Sequence, residues 1–411
     1  MKVNGIIAEY NPFHNGHKYQ LEQSLKLTDA DYTVIVMSGN FVQRGAPALL
    51  DKHTRTKMAL LAGADLVLEL PAVYAVSSAE YFAAGAVSLL TKLGVVSHLC
   101  FGSECGDIDL LRQAAGILAS EPEDYASSLR HLLRQGMSYP NARTQALIQH
   151  YPSLAEHREV FSSPNNILGI EYIKAILRQE STLLPVTVKR LGAGYHDRVA
   201  SGPYCSALSI RQALFVENMP SLLQKQMPPE ACELLCNRLA SNAAIRSNDF
   251  SSVLYYKLLS EKEYGYEKYL DVSADLSDRI KRQLNAFKDF DSFCDLLKTK
   301  EMTYTRISRC LIHILLNITK NDMACCVSLG YTPYARVLGF RKASVPLLSA
   351  IKEQSCIPLV TKLADAGKLL SENAFRMLRQ DIIISQIYHG IVSGKDADNT
   401  VNEYTIPLVI V

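Results

Sequence analysis

Short apolar runs alternate with helix-period segments through the first hundred residues. The runs are Val3 to Ala8 (VNGIIA), Tyr32 to Met37 (YTVIVM), Leu66 to Leu70 (LVLEL) and His98 to Phe101 (HLCF), and helical patterns begin near Gly16, Asp51 and Ser77. Runs of that length read as buried strands, and strands that alternate with helices predict a parallel sheet with crossovers on both faces. The expected fold is therefore α/β, a doubly wound parallel-sheet (Rossmann-like) domain. Residues 107–150 predict mainly helix, with Gly116 and Gly136 as interruptions. Asn165 to Gln179 predicts another helix, Pro185 to Leu191 a strand and Leu208 to Val216 a helix, so this domain is expected to span 1–217.

The pattern then changes. Helical periods recur at Ala231 to Leu239, Ile280 to Phe287 and Ile307 to Ile318, which predicts a mainly helical module over 218–325. Strand-like runs at Arg336 to Phe340 and Ile357 to Thr361 flank a helix near Pro346 to Gln354, and Thr405 to Val411 is strand-like again; a small α/β C-terminal unit over 326–411 is expected. No internal repeat or low-complexity linker interrupts the chain.

Composition narrows the class rather than the function. At 411 residues, 48% apolar and 20% charged, the chain has the make-up of a folded globular protein. A formal net charge of +2 leaves a nucleic-acid partner open, so only local clusters of Lys and Arg bear on it. Ten cysteines without a CxxC pair suit neither a zinc knuckle nor a disulfide framework and read as reduced thiols. The opening apolar stretch is too short for a signal peptide and nowhere do about 18 apolar residues run together, so a cytoplasmic protein without a membrane partner is expected.

The candidate chemistry lies in AEYNPFHNGHKYQ, residues 8–20, at the junction between the first strand and the first helix. Ligands of open parallel sheets bind beyond the carboxyl ends of the strands, where a helix start offers unpaired N–H groups to phosphate. His14 and His17, three apart, share a helix face and can each donate to phosphate oxygens, while Gly16 permits close approach. Taken alone, the two histidines fit three readings: structural residues at a turn, a metal-binding pair, or a phosphate site.

HNGH resembles the HxGH signature of the nucleotidylyltransferase superfamily, and Ser206-Ala-Leu-Ser209-Ile-Arg211 resembles its second signature, a serine-rich helix start ending in arginine. Ser206, Ser209 and Arg211 would then hold the polyphosphate, although an ordinary helix cap followed by a surface arginine gives the same letters. Further stretches, Met37-Ser-Gly-Asn-Phe-Val-Gln-Arg-Gly45 with Pro47, Asp51 and Lys52, Phe101-Gly-Ser-Glu104, Ser163-Pro-Asn-Asn-Ile-Leu-Gly169 with Tyr172, and Tyr195-His-Asp197, resemble the tRNA(Met) cytidine acetate ligases over the whole chain.

That resemblance implies an enzyme that activates acetate with ATP as acetyl-adenylate, releases pyrophosphate, and acetylates the exocyclic amine of the wobble cytidine of elongator tRNA(Met), giving N(4)-acetylcytidine. It implies catalytic roles for His14 and His17. It implies nucleotide contacts from Ile7, Ala8, Glu9, Tyr10, Asn11, Pro12, Phe13, Asn15, Gly16, Lys18, Tyr19 and Gln20, from Gly102, from Asn165 or Asn166, and from Arg190. Mg is a further expectation, for the departing pyrophosphate. Glu104, His196 and Asp197 are candidates for a proton acceptor, and each also fits a helix cap or a loop hydrogen bond. The loop Gly39 to Gly45 reads as a cover or as the way in for the cytidine, with Phe41 either stacking on the base or anchoring the loop.

Three basic clusters suggest tRNA contacts: Arg279, Lys281 and Arg282; Arg306 and Arg309 beside Tyr304; and Arg336, Arg341 and Lys342 beside Tyr331 and Tyr334. Each also fits a solvated helix face. Two rivals stay open at this point: a small-molecule nucleotidylyltransferase with an appended domain, and a non-catalytic RNA-binding relative.

Overall fold

The computed structural model describes residues 1–191, 204–217, 220–395 and 401–411. The strands are β1 (Val3–Ala8), β2 (Tyr32–Ser38), β3 (Phe41–Val42), β4 (Ala46–Pro47), β5 (Leu66–Leu70), β6 (His98–Ser103), β7 (Leu184–Lys189), β8 (Ala335–Phe340), β9 (Leu359–Val360) and β10 (Val409–Ile410). Strands β1, β2, β5, β6 and β7 pair in parallel in the order β5-β2-β1-β6-β7. Alternate side chains enter two cores on opposite faces, Val34 and Val36 on one, Ile35 and Met37 on the other. Chain order runs outward in one direction from β1 through β2 to β5 and in the other through β6 to β7. The carboxyl ends of β1 and β6 therefore flank the switch point where such sheets bind ligands.

The C-terminal strands do not build a sheet of their own. β8 pairs antiparallel with β5, β9 and β10 pair with β8, and the result is one mixed eight-stranded sheet. The reason lies in β5: all five of its residues are buried, so its free edge needs a cover. Glu69 of β5 stands opposite Arg336 of β8, and the two pair at 2.8 Å. Lys52 also bonds Glu69 at 2.8 Å and lies 3.1 Å from Glu403, which Arg336 bonds as well. Arg336, expected as a tRNA contact, is thus only 5% exposed and occupied inside the sheet.

Other boundaries shift for local reasons. The helix expected at Ile280 to Phe287 runs from Ala274 to Gln283, because the Ser273 hydroxyl caps an earlier start. The strand-like runs near 357–361 and 405–411 shrink to two residues each. The sequence reading missed the helix Glu372–Lys395, whose Asp381 accepts from Ala72 N–H and the Tyr334 hydroxyl while Tyr388 donates to the Ala48 carbonyl. Between 220 and 328 the described residues form helices, the helix Tyr304–Leu315 among them. All ten cysteines are free thiols, and among the described residues no helix is long and apolar enough to cross a membrane.

Candidate active site

After β1 the chain turns through Glu9 to His14 and enters the helix Asn15–Thr28. His14 is its N-cap: Gly16 N–H donates to His14 Nδ1 at 3.0 Å, and His14 N–H donates to His17 Nδ1 at 3.3 Å. This is a reciprocal capping box in which two imidazoles take the places usually held by Ser or Thr and Glu. Because each Nδ1 accepts, a neutral ring carries its proton on Nε2. The rings stack at 3.8 Å and 26°, and Tyr10 and Phe13 pack on His17 with ring centroids at 4.9 and 5.5 Å. Gly16 is required here, since a Cβ would stand 2.8 Å from His14 Cε1.

Burial, then the Arg190 and Arg211 charges, pull the His14 pKa down to about 3. Burial, then His14 and Arg190, hold His17 well below the usual imidazole range. Both rings are neutral donors at neutral pH, fixed in orientation before any ligand arrives.

Two cavities that share Gln20, Gly102 and Arg190 in their walls open beside them. His14, Gly16, Tyr19, Gln20, Gly102, Arg190 and Ser206 border a narrow side pocket. Ile7, Ala8, Glu9, His17, Gln20, Gly102, Asn165 and Arg190 border a cleft of about 630 Å³. Arg190 follows β7, its N–H donates to the Ser103 carbonyl at 2.9 Å, and its stem lies over Gly102, where a Cβ would meet Cγ at 3.4 Å. Ser206 caps the helix Ala207–Gln212 by accepting from Ser209 N–H, and Arg211 donates to the carbonyl of Asn11 behind the HNGH turn. Burial brings the Arg211 pKa down to about 10. The two signatures, far apart in sequence, meet at one corner of the sheet.

A family model described as HIGH nucleotidyl transferase matches residues 1–403. The tRNA(Met) cytidine acetate ligase of Clostridium kluyveri is 45% identical over 395 residues, covering 94% of each chain, and that of Acetivibrio thermocellus is 42% identical over 392 residues, again 94% of each. The chain belongs to the tRNA(Met) cytidine acetate ligase family. A crystal structure of Thermotoga maritima TmcAL bound with alpha-thio ATP superposes with a TM-score of 0.92 at 31% identity, covering 100% of both chains.

Against that family frame, the expected residues separate into lining and support. Tyr10, Asn11, Pro12 and Phe13 are buried beneath the turn, and Asn11 Oδ1 accepts from Leu49 N–H at 2.8 Å. Asn15 Nδ2 donates to the Lys225 carbonyl, and Lys18 is exposed. Ser209 and Arg211 support the corner without bordering either cavity. Asn165 borders the cleft, whereas Asn166, 1% exposed, accepts from the N–H groups of Glu104 and Cys105. The Glu104 carboxylate accepts from Asn165 N–H at 3.2 Å, Asn165 Nδ2 at 2.6 Å and Asn166 N–H at 2.8 Å. It caps the helix Pro164–Arg178 and is no free base. His196 and Asp197 lie outside the described residues.

Glu9 Oε1 accepts from Gln43 N–H at 2.8 Å and pins the Gly39 to Gly45 loop, whose Gln43 and Arg44 border the cleft. Phe41, 1% exposed, packs on Phe250 and Tyr388 and is the anchor, not a stacking platform. Several cations of the basic clusters are engaged within the fold. Arg279 donates to the Leu297 carbonyl, Lys281 faces Asp278 at 3.5 Å, and Arg341 lies 3.6 Å from Asp65. Arg282, Arg306 and Lys342 are exposed, and Tyr334 is buried. Arg309 stands in the cleft wall with Thr303 and Thr305. The sequence reading missed Thr303, Thr305, Ala79 and Phe82 as cleft residues; a Thr before an apolar run signals a helix cap and carries no information about a ligand. Among the described residues no group of three or more His, Cys, Asp or Glu is placed to hold a metal ion.

Proposed function

We propose that this chain activates acetate with ATP and acetylates the exocyclic amine of the wobble cytidine of elongator tRNA(Met). The observation that carries the reading is the pair of imidazoles fixed through their Nδ1 atoms at the switch point, beside Arg190, in a member of this family.

In the first step a carboxylate oxygen of acetate bonds the α-phosphorus and the bond to pyrophosphate breaks. Acetate and the triphosphate are both anionic, so the site must cancel charge and align them. His14 and His17 donate to the phosphate oxygens, and Arg190 faces the same corner with a planar fork that suits two phosphate oxygens at once. Uncharged donors serve here because Arg190 and Arg211 already supply the positive field. Gly102 lets the nucleotide lie against the strand end. Among the described residues no group of three or more His, Cys, Asp or Glu is placed to hold a metal ion, and Mg2+ in nucleotide sites rides mainly on phosphate oxygens.

In the second step the cytidine amine bonds the acetyl carbonyl carbon, AMP departs with the electrons of the anhydride bond, and the proton lost by the amine passes to the departing phosphate or to water. The helix Tyr304–Leu315 packs on the loop of the cleft through Ser308 and Gly45, and we assign the approach of the RNA to that side. Incubation with ATP, labelled acetate and unmodified elongator tRNA(Met), followed by digestion, tests the reading: labelled acetylcytidine is expected, its loss on omitting either ATP or acetate as well, and RNA that stays unlabelled would overturn it.

A further inference from the structure

The cleft is much larger than its smaller substrate. Acetate has four heavy atoms, and at about 30 Å³ per water-sized group it needs a fraction of the about 630 Å³ available. His17, Arg190 and Asn165 form the wall nearest the opening strand. Thr303, Thr305 and Arg309 form the wall contributed by the helical segment.

Arg309 has an unusual position in that second wall. Its Nε is buried and has no hydrogen-bond partner among the described residues, although buried donors are almost always paired. Asp271 is the acidic group whose charge bears on it. Its backbone is clamped: Ser308 donates to the Gly45 carbonyl at 2.6 Å, and Gly45 packs so closely that a Cβ there would stand 2.3 Å from Arg309 N. The backbone that carries the guanidinium is thus held at the seam between the Gly39 to Gly45 loop and the helix Tyr304–Leu315.

Arg309 borders the cleft, and a planar guanidinium fork matches two oxygens of one phosphate group. The nucleotide phosphates already have donors on the first wall, and acetate is consumed there. A cytidine that enters the cleft must bring its own backbone phosphates with it, and such contacts set position rather than sequence. We propose, resting on the function above, that Arg309 binds the RNA phosphodiester next to the acceptor cytidine and so positions the amine for acetyl transfer.

The test separates the half-reactions in the full-length chain. Acetate-dependent ATP–pyrophosphate exchange is measured without RNA, and acetylation of an unmodified elongator tRNA(Met) transcript at graded salt. Arg309→Gln is expected to keep exchange within about twofold, to raise the KM for tRNA roughly tenfold to a hundredfold with less change in kcat, and to lower the slope of log(kcat/KM) against log salt by about 0.7. Arg309→Lys, which keeps the charge but not the fork, should restore most of the salt slope and only part of the KM. Loss of exchange in Arg309→Gln would assign the side chain to acetate or nucleotide, and an unchanged salt slope would make it a packing residue; either overturns the proposal. A wild-type chain without acetate-dependent exchange would overturn the function instead, and filter binding of the transcript to wild type and Arg309→Gln at graded salt would still decide the role of Arg309.

Discussion

The neutral histidine pair can be tested through stability, with His14→Asn as the perturbation. Asparagine caps a helix well and does not titrate, so the variant keeps the helix start and removes one ionisable group. In the unfolded chain His14 takes up a proton below its ordinary pKa of 6.5; in the fold, where it is 4% exposed, it refuses one until about pH 3. Between those values the unfolded state binds more protons, so stability is complete above pH 6.5 and falls as the pH drops. At pH 5 the gap from 6.5 is 1.5 units, which at about 1.36 kcal/mol per unit is about 2 kcal/mol. Buried His313 and His389 are shifted in the same direction, so the difference between wild type and variant is the informative quantity. Urea unfolding at pH 7.5 and pH 5 should show wild type losing about 2 kcal/mol more than His14→Asn, and 15N spectra of labelled histidine should place both protons on Nε2. Equal losses would refute the neutral capping pair.

His17→Ala should keep the fold and lower acetate-dependent pyrophosphate release by roughly 10²–10³, as removal of one positioned donor does; release at the wild-type rate would remove His17 from the chemistry. Gly45→Ala meets both a φ of +74° and the Arg309 backbone, so a loss of about 1–3 kcal/mol by thermal unfolding is expected, with tRNA acetylation falling more than pyrophosphate exchange; a neutral result would mean that loop and helix are not packed as described. Lys52→Met leaves Glu69 and Glu403 short of a partner inside the sheet and should cost about 3–5 kcal/mol in urea unfolding. A change under about 1 kcal/mol would show that water reaches this cluster.

The parallel half of the sheet and both phosphate signatures were legible because each is local. A short apolar run, a turn and a helix start lie within about twenty residues, and HNGH and SALSIR keep their letters in order. The dual role of the histidines was not legible. Capping boxes are sought as Ser or Thr with Glu, so a pair of imidazoles closing on each other leaves no familiar pattern. Arg336 read as a surface cation because a strand of alternating residues does not announce which neighbour it will meet; only pairing with Glu69 buries it. Arg309 read as part of a helix face because the contact that turns it inward joins Ser308 to Gly45, 263 positions away. For the same reason, sequence adjacency does not say which of the clustered cations already have carboxylates or carbonyls beside them.

The antiparallel addition of β8 to β5 bears on how the protein is made. Until residues 335–340 have left the ribosome, a nascent chain carries a bare, mostly apolar strand edge, and Glu69 waits without the guanidinium that faces it across the ladder. The nucleotide corner is encoded early but its sheet is sealed late, so an amino-terminal fragment cut before β8 is a sticky intermediate rather than a small independent enzyme.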